Sequence, residues 1–280
     1  MTSKKVVDYY NETQIDYKIL WNSSKSLALH FGFWEDGVKT FSQAVQRENE
    51  ILAELANIKK GDKVLDAGCG VGGSSIFLAR KYGAKVTGIT IVENQVESAI
   101  MNSKNHGVED LTEFYEMDFC NMKFKNNSFD VTWGIESICH AQNKKDFLRE
   151  AKRILKKGGR LVVADGFLQR ENLNAKEEEE MKKWLDGWAV PNLATVNEFR
   201  NYLTELGFKN IQFRDIKENV MPSSVRLYRA SILGYPVGKI LEWLGLRTKI
   251  QTGNILSAFY QYRTLKKNLW TYGIFYAENR

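Results

Sequence analysis

The chain has 280 residues, 43% hydrophobic and 26% charged, enough to bury one substantial core, and its 40 Lys and Arg against 34 Asp and Glu give a net charge of +6. No apolar run reaches the ~20 residues that cross a bilayer, and the opening Met-Thr-Ser-Lys-Lys-Val-Val-Asp has no signal-peptide core, so a globular protein of the cytoplasm is expected. Basic residues interleave with acidic ones and form no Arg/Lys block, which argues against a nucleic-acid partner; Cys69, Cys120 and Cys139 form no CxxC pair, which argues against disulfides or a structural zinc, and no metal is expected.

Residues 1–60 read as amphipathic helices that end in the Lys59-Lys60-Gly61-Asp62 turn and pack as a lid over the rest of the chain. From Lys63 an apolar strand runs into Gly68, Gly70, Gly72 and Gly73, and a helix succeeds it from Ser75 to Tyr82. Residues 85–91 repeat the strand signal, which makes a βαβ unit and therefore a parallel sheet. The alternation continues through a helix at 93–105, strands at 112–117 and 129–135, a helix at 143–156, a Gly158-Gly159 stop and a strand at 160–166. The fold class expected is α/β, a doubly wound sheet with ligands at the C-terminal ends of its strands.

Beyond 166 the pattern predicts helices at 174–186 and 195–206, the second opened by the capping box Thr195 to Glu198 and closed by Gly207. Lys176–Lys183 reads as a solvated helix face. Strands at 210–217 and 270–277 bracket an insertion of about 50 residues. Within it Leu227–Leu246 is rich in Leu, Ile, Tyr and Trp, and reads as core or, alternatively, as the wall of an apolar pocket or a surface that touches membrane. Residues 61–280 therefore form one domain, with cap insertions at 168–195 and 220–268 shaping an acceptor pocket.

Four glycines in this turn let the backbone wrap a polar cofactor at a helix N-terminus. The string Gly68-x-Gly70-x-x-Gly73 satisfies the dinucleotide fingerprint, so an NAD-dependent oxidoreductase is one reading. Two features oppose it. No acid closes the strand at 85–91, Glu93 arriving only inside the next helix, and Asp66 at the tip of the first strand would face and repel a pyrophosphate. A cofactor with a cationic head and no phosphate suits that carboxylate, and S-adenosylmethionine is such a molecule.

Val64-Leu-Asp-Ala-Gly-Cys-Gly-Val-Gly72 resembles the first motif of the seven-stranded S-adenosylmethionine-dependent methyltransferases. Asp118-Phe119, Asn127-Ser-Phe-Asp-Val-Thr132 and Leu155-Lys-Lys-Gly-Gly-Arg160 come in that family's order, so matched segments cover residues 60–166. His30-Phe-Gly-Phe-Trp34, Gly88-Ile-Thr90, Gly134-Ile-Glu-Ser-Ile-Cys-His-Ala141, Trp243-Leu-Gly-Leu-Arg247 and Trp270-Thr-Tyr-Gly-Ile274 are similar to the branch of tocopherol and sterol C-methyltransferases and, more distantly, cyclopropane fatty-acid synthases. The chain lacks the longer ends of typical sterol enzymes, and the similarity is weakest over 168–195.

This resemblance implies a Rossmann-like seven-stranded sheet with the last strand antiparallel. It implies that amides of Gly68, Gly70 and Gly72 line the methionine portion of the cofactor, with Asp66 ordering the turn. Thr90, Ile91 and Gln95 then approach ribose and adenine, Asp118 and Phe119 the adenine, Ile135 the cofactor, and His30 sits in the lid near it. Glu136 and His140, just beyond the strand at 129–135, are the catalytic candidates, sharing a face if the turn is helical. A carboxylate beside aromatic rings would shield a carbocation and take its proton if carbon is methylated, and His140 would take the proton of an oxygen or nitrogen acceptor. Cys139 lacks the partners of a catalytic thiol. Trp184, Trp188, Tyr228, Tyr235, Trp243 and Tyr260 together favour a lipophilic or ring-bearing acceptor, of the prenyl, sterol, quinone, tocopherol or alkaloid kind, with peripheral membrane contact through 225–246. A monomer or homodimer is expected, and a non-catalytic binding protein of the same fold is the remaining alternative.

Overall fold

The structure is a computed structural model that describes residues 2–20 and 27–280. Seven strands form one sheet: β1 (Lys63–Ala67), β2 (Lys85–Thr90), β3 (Thr112–Glu116), β4 (Phe129–Ile135), β5 (Leu155–Leu168), β6 (Lys209–Asp215) and β7 (Trp270–Asn279). Their order is β3-β2-β1-β4-β5-β7-β6, and β7 runs antiparallel to both neighbours, β5 and β6, while the other pairings are parallel. Side chains alternate across the sheet, as strand geometry requires. Val64, Val131, Trp133, Val162, Ala164, Tyr272 and Ile274 enter one apolar layer; Leu65, Ala67, Leu161, Val163, Phe275 and Ala277 enter the other. Helices cover both faces, which is why the inner strands read as continuous apolar runs.

The helices are α1 (Thr2–Leu20), α2 (Phe41–Leu55), α3 (Gly73–Tyr82), α4 (Glu93–Asn105), α5 (Lys144–Ile154), α6 (Ala175–Gly187), α7 (Val196–Glu205), α8 (Lys217–Trp243) and α9 (Lys249–Lys266). The expected lid falls on α1, α2 and the chain between them, of which 21–26 lie outside the described residues. The box at the start of α7 forms as its sequence predicts, with Thr195 accepting from the Glu198 amide. The insertion between β6 and β7 is the helical pair α8 and α9, packed on α6 and α1. Arg247 binds Asp16 of α1 at 2.6 Å, and Asn254 of α9 binds the same carboxylate at 2.9 Å.

Two boundaries differ from expectation. Strand β5 begins at Leu155 and runs through the glycines that read as a stop. Buried Leu155 pairs with Phe129, and the register then shifts, so that 156–159 bulge and Gly158 takes φ +79°. The polar Lys156-Lys157-Gly-Gly run separates buried Leu155 from the apolar Leu161–Ala164 stretch and so hides the first part of the strand. Strand β6 spans 209–215, and Lys217 already belongs to α8.

Candidate functional site

The chain leaves β1 at Ala67 and turns over the edge of β2, where the amides of Gly68 and Cys69 both reach the Ile89 carbonyl at 2.9 Å. Gly68 has φ +90°, and a Cβ there would lie 2.3 Å from Ser137 Cβ, so this position is closed to any side chain. Gly70 lines the resulting cavity, of about 300 Å³, and its amide makes no main-chain hydrogen bond among the described residues. Gly72 departs from expectation: its amide bonds the Cys69 carbonyl, its missing Cβ faces Ala99 and Phe114, and it does not wall the cavity. Gly73 and Ser74, at the N-terminus of α3, do.

Asp66 is buried at the back of this cavity and accepts the Ser75 hydroxyl at 2.6 Å. Burial pushes its carboxyl up to about 6, against the pull of Ser75 and of charge on His30. Thr90 donates to Gln95 Oε1 at 2.7 Å, so these two walls fix each other. Asp118 holds the Cys120 amide at 2.7 Å, and Phe119 stands edge-on to Phe147. Ile91, Ile135 and His30 complete the set that lines the cavity. Its described walls carry four acidic side chains, Asp66, Asp118, Glu136 and Asp146, and no Lys or Arg. That donor set fits a cofactor with a cationic head and opposes a pyrophosphate, so the oxidoreductase reading of the glycine string finds no support in the site.

A second cavity of about 390 Å³ adjoins the first, and Tyr10, Leu29, Glu136 and His140 wall both. Glu136 has φ +48°, a strained conformation for a non-glycine residue. Its Oε1 accepts the Phe31 amide at 2.5 Å and lies 2.9 Å from the Tyr272 hydroxyl. Burial and the nearby Glu48 push its carboxyl up to about 8, opposed by His30. His140 ends a 3₁₀ turn, Ile138–His140, so it reaches the site through that turn and the bend at Glu136, and not along a shared helical face. Its Nδ1 lies 3.2 Å from the Ala189 carbonyl, which can only accept, so Nδ1 carries the proton and Nε2 receives the Tyr10 hydroxyl at 3.0 Å. Burial pulls His140 down to about 4, which keeps it neutral. Burial raises the Cys139 thiol well above its usual range, leaving no reactive thiolate.

Of the six aromatic residues expected around an acceptor, only Trp184 and Trp188 line the second cavity. Trp243 is 84% exposed, and Tyr228 lies tilted against Tyr262 and Phe259. The other aromatic walls are Tyr9, Tyr10 and Tyr17 of α1, Phe31, and Trp270 and Tyr272 of β7. The Tyr9-Tyr10 pair in the amphipathic N-terminal helix was the signal available for α1. The Trp270-Thr-Tyr-Gly-Ile274 segment stood out by resemblance alone, and nothing in its own pattern assigns Tyr272 to the site.

Residues 65–163 match the family model described as a methyltransferase domain. The chain is 30% identical over 223 residues to methyltransferase GfsG of Streptomyces halstedii, covering 79% of this chain and 78% of that protein. It is 31% identical over 213 residues to sterol 24-C-methyltransferase ERG6 of Saccharomyces cerevisiae, covering 75% of this chain and 54% of that one. The fold superposes on geranyl diphosphate C-methyltransferase of Streptomyces coelicolor, solved with Mg2+, geranyl diphosphate and S-adenosyl-L-homocysteine. The TM-score is 0.75 at 17% identity, covering 100% of this chain and 98% of that one. With a glycine cradle closed to side chains, an acidic cavity that suits a sulfonium, and relatives of this kind, the chain belongs to the class I S-adenosylmethionine-dependent methyltransferases that act on small molecules.

Proposed function

We propose that the enzyme methylates a lipophilic, ring-bearing or prenyl acceptor held in the 390 Å³ cavity, with the cofactor in the 300 Å³ cavity beside it. The observation that carries this reading is the shared wall: Glu136 and His140 border both spaces, where a methyl group would pass from one to the other. When bound, S-adenosylmethionine supplies a carbon activated by its sulfonium for in-line displacement. The chain's part is to orient, to exclude water and to handle a proton. In this reading Asp66 and the free Gly70 amide hold the polar end of the cofactor, the Thr90–Gln95 pair and Asp118 hold its ribose and adenine, and His30 closes the site through Glu48.

The rings of Tyr17, Phe31, Trp184 and Trp188 give the acceptor an apolar, electron-rich enclosure, which stabilises positive charge that develops on it. Neutral His140, through Nε2 and the Tyr10 hydroxyl, accepts a proton from an oxygen or nitrogen acceptor; Glu136 as carboxylate accepts one from a carbon centre.

The same reading explains the outer face of α8. No helix among the described residues is long and apolar enough to cross a membrane. Yet Ile232, Leu233, Val237, Ile240 and Trp243 recur at helical spacing and stand exposed, Leu233 by 77% and Trp243 by 84%. Exposed Arg229, Lys239 and Lys249 flank them. Val237 belongs both to this face and to the acceptor cavity. We read it as a surface that rests on an anionic bilayer and takes the acceptor from there.

The test is transfer of labelled methyl from S-adenosylmethionine to a panel of prenyl, sterol, quinone and small polar amine acceptors. Label in the lipophilic group, lost in Glu136→Gln or His140→Ala, supports the proposal. Turnover confined to polar amines refutes it.

A further inference from the structure

One hydroxyl stands between two carboxyls in this site. Tyr272 places its oxygen 2.8 Å from Glu48 Oε1 on α2 and 2.9 Å from Glu136 Oε1. A phenol has a single proton to donate. Two ionised carboxylates drawn to one hydroxyl repel each other across it, and a proton on either one relieves that repulsion. Glu48 is fully buried, and its other oxygen faces His30 Nδ1 at 3.1 Å. Glu136 is the group that burial and a neighbouring carboxylate hold in the neutral form. His30, Glu48 and Glu136 come within 4.8 Å of one another as a metal triad might, but their atoms are spent on each other, on Phe31 and on Tyr272.

We propose that Glu48, Tyr272 and Glu136 hold one shared proton at neutral pH, resident on Glu136, and that a sulfonium cofactor in the adjoining cavity expels it to solvent. This rests on the placement of the cofactor in the cavity that Asp66 and Glu136 wall. A cation beside a carboxyl favours its ionised form, whereas the thioether left after methyl transfer carries no such charge. The methyl donor therefore arms Glu136 as a carboxylate, and its product lets the proton return. The other titratable groups facing Glu136 are His30 across the lid, Tyr10 and Tyr17 of α1, and Cys139, with Asp165 beyond Tyr272. Glu48 and Tyr272 are thus positioning residues that set the protonation of Glu136.

The test is calorimetric titration at pH 7.5 with S-adenosylmethionine and with S-adenosylhomocysteine, each in phosphate and in Tris, so that the difference in heat counts protons. Wild type should release roughly half to one proton with the sulfonium ligand and much less with the thioether. Glu136→Gln reports whatever the ligand's own amino group contributes, and the difference between the two ligands should shrink to that value. Glu48→Gln, which removes the neighbouring carboxyl, should cut the release by more than half, whereas Tyr272→Phe, which removes a hydrogen bond that favours the ionised form of Glu136, should leave it at or above the wild-type value. Equal counts for the two ligands in wild type, or a release that Glu136→Gln leaves intact, overturn the proton proposal alone. Failure of both ligands to bind overturns the cofactor placement as well.

Discussion

Gly68→Ala tests the cradle most sharply, because two separable costs meet there. At φ +90° any side chain carries backbone strain of about 1–3 kcal/mol. The added Cβ would lie 2.3 Å from Ser137 Cβ and 2.9 Å from its Oγ. Ser137 cannot easily yield, since its hydroxyl binds the Ala67 carbonyl and its chain neighbour is the strained Glu136. Overpacking of this kind costs a further ~1–3 kcal/mol, so the variant should lose about 2–6 kcal/mol. In a chain of this size that lowers the melting temperature by on the order of 10 °C. Gly107→Ala is the control: φ is +64°, but nothing lies within 4 Å of the new Cβ, so only the backbone cost of about 1–2 kcal/mol remains. Differential scanning calorimetry with titration of S-adenosylhomocysteine separates them. Gly68→Ala should also weaken that ligand at least tenfold by displacing Ser137 and Glu136, and Gly107→Ala should not. If the two variants melt together and bind alike, the close approach at Gly68 does not shape the site.

Three more outcomes are expected from the same geometry. His140 is held neutral down to about 4, below its ordinary value, so the native state binds fewer protons than the unfolded one; its share of stability is present above ~6.5 and lost as pH falls towards 4. His140→Asn should flatten the fall in melting temperature between pH 6.5 and 4.5, and an unchanged fall would count against the assignment. Arg247→Met strands Asp16, whose side chain is only 6% exposed, and should cost about 3 kcal/mol in urea unfolding, part of which Asp16→Asn restores in the double variant. Leu233→Glu with Ile240→Glu should abolish sedimentation with anionic vesicles while leaving S-adenosylhomocysteine affinity unchanged; sedimentation that persists would show that α8 is not the contact.

The sheet and the cradle were legible because their causes are local. Buried parallel strands are continuous apolar runs, and a glycine turn between strand and helix admits few backbone paths. Asp66 could be read as hostile to phosphate because it sits at a strand tip, and the described walls of the cavity around it carry no Lys or Arg. What sequence did not disclose depends on distant pairs. The upward shift of Glu136 comes from burial and from Glu48 on α2, and its hydroxyl partner Tyr272 lies 136 residues further along the chain. Tyr10 reaches His140 across 130 residues. Trp243 reads as a pocket residue by type alone, and only the packing of α8 on α9 turns it outward. The start of β5 was hidden because its first turn of chain is a polar bulge.

Two adjoining cavities meet at Glu136 and His140, and the proposed mechanism rests on the assignment of one to the methyl donor and the other to the acceptor. A crystal structure with S-adenosylhomocysteine tests it directly. The cofactor should lie along Asp66, Gly70, Thr90 and Asp118, with its sulfur facing the second cavity between Glu136 and His140. A sulfur directed away from that junction, or a cofactor bound elsewhere, would contradict it.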